Sequence, residues 1–396
     1  MLRHEPLYQW SQRVANHFPE LSRSTAFVLA LWSFGMVLAH ACGLSAVATH
    51  LAEVLRQPLN TVRQRLREFY QPASRKRGRG RTEIDPAICT RPLLRWITGN
   101  WTDRRLALAL DATNFGSRFH VLACSVVYRG CAVPVAWSIL AGGKKESWHP
   151  HWCELLRRAA AALGPGWEVI VLTDRGLESP RLFREITTHG WHPLMRVKAK
   201  CGTFRPEGWK RSYRFATYAR HGQPFAARGT AYATEPLSCT LLAQWQEGCD
   251  EPWILLTDLA PVAASPCWYA FRSWIEQGFK VIKSGGWKWE STRITAPDRA
   301  SRQWVVLAVA TLWLIEVGGL SETEPRPETV PPIPHTHTKR SAPRLIRLFT
   351  LGLGMILAGI IRGLIPVGRF VPEAWPTVEP VPKVSEEELC PDLNYP

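Results

Sequence analysis

Leu106-Ala-Leu-Ala-Leu-Asp-Ala-Thr113 is a run of apolar residues with a single carboxylate set into it. A short continuous apolar run of this kind predicts a strand buried on both faces, at the centre of a sheet. Two further strands are expected at 119–128 and 131–140, joined by a tight Arg129-Gly130 turn. A helix over 148–163 follows. Glu168-Val-Ile-Val-Leu-Thr-Asp-Arg-Gly176 repeats the opening pattern, an apolar strand ending in polar residues, with Asp174 at its end. A helix over 180–189 and a strand over 193–198 come next. Three antiparallel strands followed by alternating helices and strands predict a mixed α/β sheet.

C-terminal to this core the alternation stops. Short segments at 213–219, 229–234, 238–244 and 253–257 predict β-strands, a small β subdomain inserted over 204–258. Residues 265–286 then predict one helix, with Ser265 and Pro266 as cap and first turn and Gly285-Gly286 as the stop. At about 100° per residue, Tyr269, Arg272, Glu276, Lys280 and Lys283 fall in a stripe roughly 80° wide. Phe271, Ile275, Phe279 and Ile282 form the neighbouring, anchoring face. The apolar stretch 302–317 is expected to cover the sheet. A proline-rich linker (325–334), a last helix (345–363) and a loosely ordered, proline-rich, acidic tail from 371 complete the chain.

N-terminal to the core, residues 1–72 read as all helical. Two helices, 44–55 and 60–70, joined through Arg56-Gln-Pro-Leu, resemble a helix-turn-helix in which Asn60 caps the second. Arg63, Gln64, Arg65 and Arg67 on that second helix could reach bases or phosphates, against the plainer reading of a solvated helix face. The basic run that follows, including Arg75, Lys76 and Arg77 and interrupted only by glycine over 75–81, can track a phosphate backbone. The divisions expected are therefore 1–72, a basic linker 73–100, a core 101–320 and a C-terminal segment 321–396.

A net charge of +16 and a pI of about 9.7 over 396 residues make nucleic acid the first partner to consider, ahead of an anionic membrane surface. The N-terminus lacks the pattern of a signal peptide. The apolar runs 27–41 and 345–367 are short or interrupted by arginine and glycine, so buried helices and no membrane are expected. Ten cysteines without a C-x-x-C pair point to neither a zinc knuckle nor a disulfide framework, and fit a reducing cytoplasm. His149, His151 and Cys153 are the one local ligand-like cluster, more simply read as packing residues at a helix start.

A carboxylate beside a buried strand needs a partner, and a divalent cation could hold Asp111 and Asp174 together. Glu276 adds a third. Three such ligands suit two Mg²⁺ ions, with Mn²⁺ as substitute, that leave positions open for phosphate and water. Singly, the aspartates could be strand-end turn formers and Glu276 a salt-bridging helix residue. Together they describe an α/β, ribonuclease H-like mixed-sheet catalytic core with a β-strand insertion, preceded by an all-helical N-terminal domain.

Tyr269, Arg272, Glu276 and Lys283 match without a gap the Y-x2-R-x3-E-x6-K signature of the insertion-sequence-four family of bacterial DDE transposases, which the chain resembles over roughly residues 100–320. Asp111 in Leu-Asp-Ala-Thr and Asp174 in Thr-Asp-Arg-Gly look like that family's first two acids. The resemblance implies that the protein binds terminal inverted repeats, nicks DNA and joins the 3′ ends to a target, as a homodimer in a synaptic complex. It implies Asp111, Asp174 and Glu276 as catalytic metal ligands, with Tyr269, Arg272 and Lys283 holding DNA. In relatives that cut through a hairpin, a tryptophan of the β insertion stabilises a flipped base; Trp245 and Trp253 are the candidates. Because about 21 Å of helix separates Tyr269 from Lys283, only Glu276 is expected at the metals, with Tyr269, Arg272, Lys280 and Lys283 forming a DNA rail. Alternatives are a transposase-derived DNA-binding protein that no longer cuts, and a nuclease without strand transfer.

Overall fold

In a computed structural model of the chain, which describes residues 4–76, 81–143, 146–220, 222–245, 249–323 and 345–389, the run quoted first is strand β1 (Arg105–Phe115). It is buried from Leu106 to Asp111, as a strand without polar alternation must be. The chain divides into two compact units, and β1 runs through both. Unit 1 comprises Met1–Asp103, Ala112–Pro165 and Trp274–Glu373; unit 2 comprises Arg104–Asp111, Gly166–Ser273 and Ala374–Pro396.

Unit 1 opens with α1 (Glu5–His17), α2 (Arg23–Ala39), α3 (Leu44–Leu55), α4 (Leu59–Tyr70) and α5 (Thr90–Thr98). Helices α3 and α4 pack against each other, but Asn60 does not cap α4. Pro58, with φ of −56°, precedes the helix, and the N–H groups of Thr61 and Val62 already bond to its carbonyl. Asn60 therefore lies inside the first turn. Strands β2 (Phe119–Tyr128) and β3 (Cys131–Ala141) form a hairpin whose two turn residues, Arg129 and Gly130, both have positive φ (44° and 81°). That is the conformation a two-residue hairpin turn demands, and glycine supplies half of it without strain. Helix α6 (His149–Leu163) follows.

The centre of unit 1 is α9 (Pro297–Thr323), packed against α2, α4, β3 and α10 (Leu345–Ile361). Its Trp304 and Trp313 are fully buried, Trp313 stacked on Trp10 with centroids 3.8 Å apart. By length and composition α9 could cross a membrane, yet 94% of its apolar stretch is buried in protein, as in a core helix. Glycines let α10 approach it at backbone distance: a Cβ on Gly352 would stand 1.9 Å from the Leu314 carbonyl oxygen, and one on Gly318 2.2 Å from that of Leu348.

In unit 2, β4 (Glu168–Thr173) pairs parallel with β1, and β5 (His192–Arg196) parallel with β4. Helix α7 (Pro180–Thr188) connects them, capped by the Ser179 hydroxyl. The insertion is not a separate sheet. Strands β6 (Thr203–Pro206), β7 (Tyr213–Arg214), β8 (Phe225–Ala231), β9 (Leu237–Gln244) and β10 (Trp253–Thr257) continue the same one, β10 pairing antiparallel with β5. The stretch expected as a strand over 213–219 is only β7 followed by a 3₁₀ turn at Phe215–Tyr218. Read through β1, the strand order is β3-β2-β1-β4-β5-β10-β9-β8-β6-β7. Its first five strands, with β2 and β3 antiparallel and β1, β4 and β5 parallel, are the ribonuclease H-like core.

Cysteine burial is uneven. Cys42, Cys89, Cys124, Cys131 and Cys239 are buried, Cys153, Cys249 and Cys267 are half-buried, and Cys201 is the exposed thiol among the described residues.

Candidate functional site

Parallel pairing of Leu110 with Thr173 is the last between β1 and β4, so Asp111, inside β1, and Asp174, just past the end of β4, are the residues that follow it. Asp174 folds back on its own turn: Oδ1 accepts from the N–H groups of Gly176 (2.9 Å) and Leu177 (3.2 Å). Its Oδ2 meets Arg272, which also meets Asp111. Two carboxylates so placed repel, and the structure sets one cation between them. Nη2 of Arg272 lies 2.9 Å from Asp111 Oδ2 and 3.4 Å from Asp174 Oδ2, with the Asp111 and Arg272 side chains each 12% exposed and that of Asp174 32%. One guanidinium nitrogen meets both carboxylates, so Asp111 and Asp174 are side chains that could hold a divalent cation in its place.

Arg272 reaches this position because the expected single helix is wound in three ways. Pro266–Arg272 is 3₁₀, α8 (Ser273–Lys280) is α-helical and Val281–Gly285 is a π turn. Ser265 caps the start as expected, accepting from the Cys267 N–H at 3.3 Å. At three residues per turn Tyr269 and Arg272 eclipse each other, so both face inward. Tyr269 is 5% exposed, with the Trp253 ring edge-on to it at 5.4 Å and Arg196 bonded to its hydroxyl. Burial pushes that hydroxyl up to about 12 against the pull of Arg272 and Arg196. The expectation of Tyr269 on an open DNA rail is corrected by this winding. Trp253 and Trp245 are half-buried, the Trp245 indole donating to the Cys249 carbonyl at 3.1 Å.

In unit 1, Glu276 and Lys280 are exposed on α8, while Ile275, Phe279 and Ile282 are buried on the anchoring face. Gly278 sits close to β3, where an added Cβ would meet Ala132 at 3.1 Å. The π turn, in which Gly286 and Trp287 N–H groups bond to the Val281 carbonyl, advances less than 100° per residue. Lys283, within this turn, is half-buried, its ammonium 5.1 Å from the Phe115 ring centroid. Among the described residues no three His, Cys, Asp or Glu side chains form a group that could hold a metal. The cluster at the start of α6 does not converge: Cys153 Sγ is 3.5 Å from His149 Nε2, whereas His151 Nδ1 meets the Ser138 hydroxyl at 3.1 Å.

On α4, Arg63 and Arg67 are exposed and Arg65 is half-buried in a cleft of about 230 Å³ that Lys76, Ser24 and Thr25 also line. Lys76 donates to the Thr82 carbonyl at 2.6 Å, and burial lowers its pKa. Arg75 is exposed; Arg77 lies outside the described residues. Sequence reasoning passed over Arg196 and Glu251, which meet at 3.4 Å beside Tyr269. The signal that could have found Arg196 was a charge following directly on the apolar Pro193-Leu-Met195.

Residues 104–313 match the transposase DDE domain family. No curated protein matches the chain by sequence. Among solved structures, a piggyBac transposase synaptic complex with hairpin DNA, determined by cryo-EM, is similar over 99% of this chain and 86% of that one, at 12% identity and a TM-score of 0.40. The family match spans more than half of the sequence, and the chain belongs to the transposase DDE domain family.

Proposed function

We propose that the protein is a cut-and-paste DNA transposase of the insertion-sequence-four type, binding the terminal inverted repeats of its element as a synaptic homodimer. The observation that carries this reading is that Asp111 and Asp174 follow the last paired residues of β1 and β4 inside the matched domain and share one cation, Arg272. Asp111 and Asp174 are proposed as two metal ligands and Glu276 as the third. Mg²⁺ or Mn²⁺ bound there would lower the pKa of the attacking water or 3′-hydroxyl and offset charge on the leaving oxygen. The backbone bonds to Asp174 Oδ1 fix the direction of Oδ2, so this ligand is oriented in advance. Arg272 neutralises the aspartate pair and, with a metal held there, would be free to grip a scissile-strand phosphate. Tyr269 acts from inside, bracing Arg272 and Arg196, while Lys280 and Lys283 contact the backbone alongside Glu276. Arg63, Arg65, Arg75, Lys76 and Arg77 engage phosphates nearer the N-terminus.

A nicking assay on DNA carrying the cognate inverted repeat tests this. Asp111→Ala, Asp174→Ala and Glu276→Ala should each lower Mg²⁺-dependent cleavage by more than about 10³-fold while leaving DNA affinity within about twofold. Wild-type cleavage by any of the three overturns the assignment.

A further inference from the structure

In unit 2 the acidic segment 385–389 lies on a strongly basic stretch of the insertion. Between 205 and 220 five cations (Arg205, Lys210, Arg211, Arg214, Arg220) accompany one acid, Glu207, and the first four are exposed. This stretch carries β6 and β7, and β7 is the terminal strand of the sheet. Against it lies Ser385-Glu-Glu-Glu-Leu389. Its first turn is a capping box: the Ser385 hydroxyl accepts from Glu388 N–H at 3.2 Å, and Glu388 Oε2 accepts from Ser385 N–H at 2.8 Å. Three successive acids at the start of α11 (Glu386–Leu389) also suit the helix dipole. Glu386 is bound at both oxygens, Oε1 by the Tyr213 hydroxyl (2.8 Å) and Oε2 by the Lys210 N–H (2.9 Å). Arg220 donates to the Glu388 carbonyl at 3.5 Å, and Leu389 is buried.

The segment is delivered there by an anchor. Trp375 packs 5.3 Å from Trp268 and beneath the Arg105 guanidinium, 4.5 Å from its ring, and the Trp268 indole donates to the Pro376 carbonyl at 2.7 Å. A short tether from that anchor gives the acids an effective concentration in the millimolar range. The donors that the Glu386 carboxylate occupies, a backbone N–H and a hydroxyl, are among those that bind phosphate oxygens, and exposed arginines stand in the same stretch. Yet Glu386 and its neighbours remain at the surface, so the contact excludes little water and can be exchanged for another polyanion.

We infer that the β6–β7 edge is a surface for the DNA phosphate backbone and that Glu386–Glu388 occupy it as a tethered competitor, which duplex DNA displaces. This rests on the DNA-binding reading above. The test uses the full chain and a duplex of random sequence, followed by fluorescence anisotropy across a salt series. With Glu386→Gln, Glu387→Gln and Glu388→Gln combined, affinity should rise about fivefold, and the slope of log K against log salt should steepen by about 2, near 0.9 for each additional phosphate neutralised. In an Arg211→Glu, Arg214→Glu background the same tail change should give no gain, and in the wild-type chain DNA should speed amide exchange over 385–389. An unchanged affinity and slope on neutralising the tail overturn the inference. So does a gain that persists without Arg211 and Arg214, which marks a global charge effect, or exchange unaltered by DNA, which marks a fixed structural clasp. Failure of every variant to bind DNA overturns the DNA-binding reading itself.

Discussion

Glu316 lies within Trp313-Leu-Ile-Glu-Val317 on α9, 3% exposed, with Oε1 2.6 Å from Arg13 Nη2 and 3.2 Å from the Trp96 indole nitrogen. Burial raises its carboxyl from an ordinary 4.5 to about 7, outweighing the downward pull of Arg13 and Trp96. Between those values the folded chain holds a proton that the unfolded chain has lost. The stabilisation is thus complete below pH 4.5 and lost as pH rises through 7, an effect of about 3 kcal/mol at most. Glu316→Gln should flatten this part of the stability–pH profile, measured by thermal denaturation, and an unchanged slope would contradict the role given to burial. Glu316 was visible in the sequence as an acid in an apolar run, yet nothing local named Arg13, some three hundred residues away. Asp111 and Asp174 were more legible, because one interrupts and the other ends an apolar run, and parallel pairing of β1 with β4 then brings the two runs side by side. That Arg272 joins them was not legible. Its partners depend on winding, and a 100° wheel assigns it to the wrong side.

That wheel failed over 265–286 for a physical reason. Apolar spacing reports which residues are buried and cannot distinguish hydrogen bonds to the third, fourth or fifth residue back. Pro266, which has no N–H, and the Gly285-Gly286 pair sit where the winding departs from α. Three of the five strands of the insertion were found close to their places, but β6 was missed and β7 was overextended. The attachment of β10 to β5 was not foreseen, since edge pairing is a long-range choice with no local signature. Helix α9 was recognised from its apolar run alone. Its contact with α10 depends on Gly352: an added methyl at 1.9 Å from the Leu314 carbonyl must push two backbones apart. Gly352→Ala should cost more than about 2 kcal/mol in denaturant unfolding, whereas Gly354→Ala, with nothing within 4 Å, should be neutral or stabilising. Equal effects would show that the helices can slide to accommodate the methyl.

Charge is what composition revealed most directly, and its distribution is what composition conceals. The excess of sixteen positive charges includes cations committed within the fold, such as Arg13 on Glu316 and Arg272 on the aspartates. Arg63 and Arg67 stand exposed on α4. Replacing both with alanine should weaken binding to any duplex and lower the log K against log salt slope by about 2. If affinity drops for the inverted repeat alone, these residues read bases and do not simply hold the backbone. The uneven burial of the thiols gives such measurements an optical handle. Cys201, exposed two residues before β6, will take a maleimide dye ahead of its buried counterparts. A fluorophore placed there without mutagenesis reports arrivals and departures at the edge of the insertion in real time.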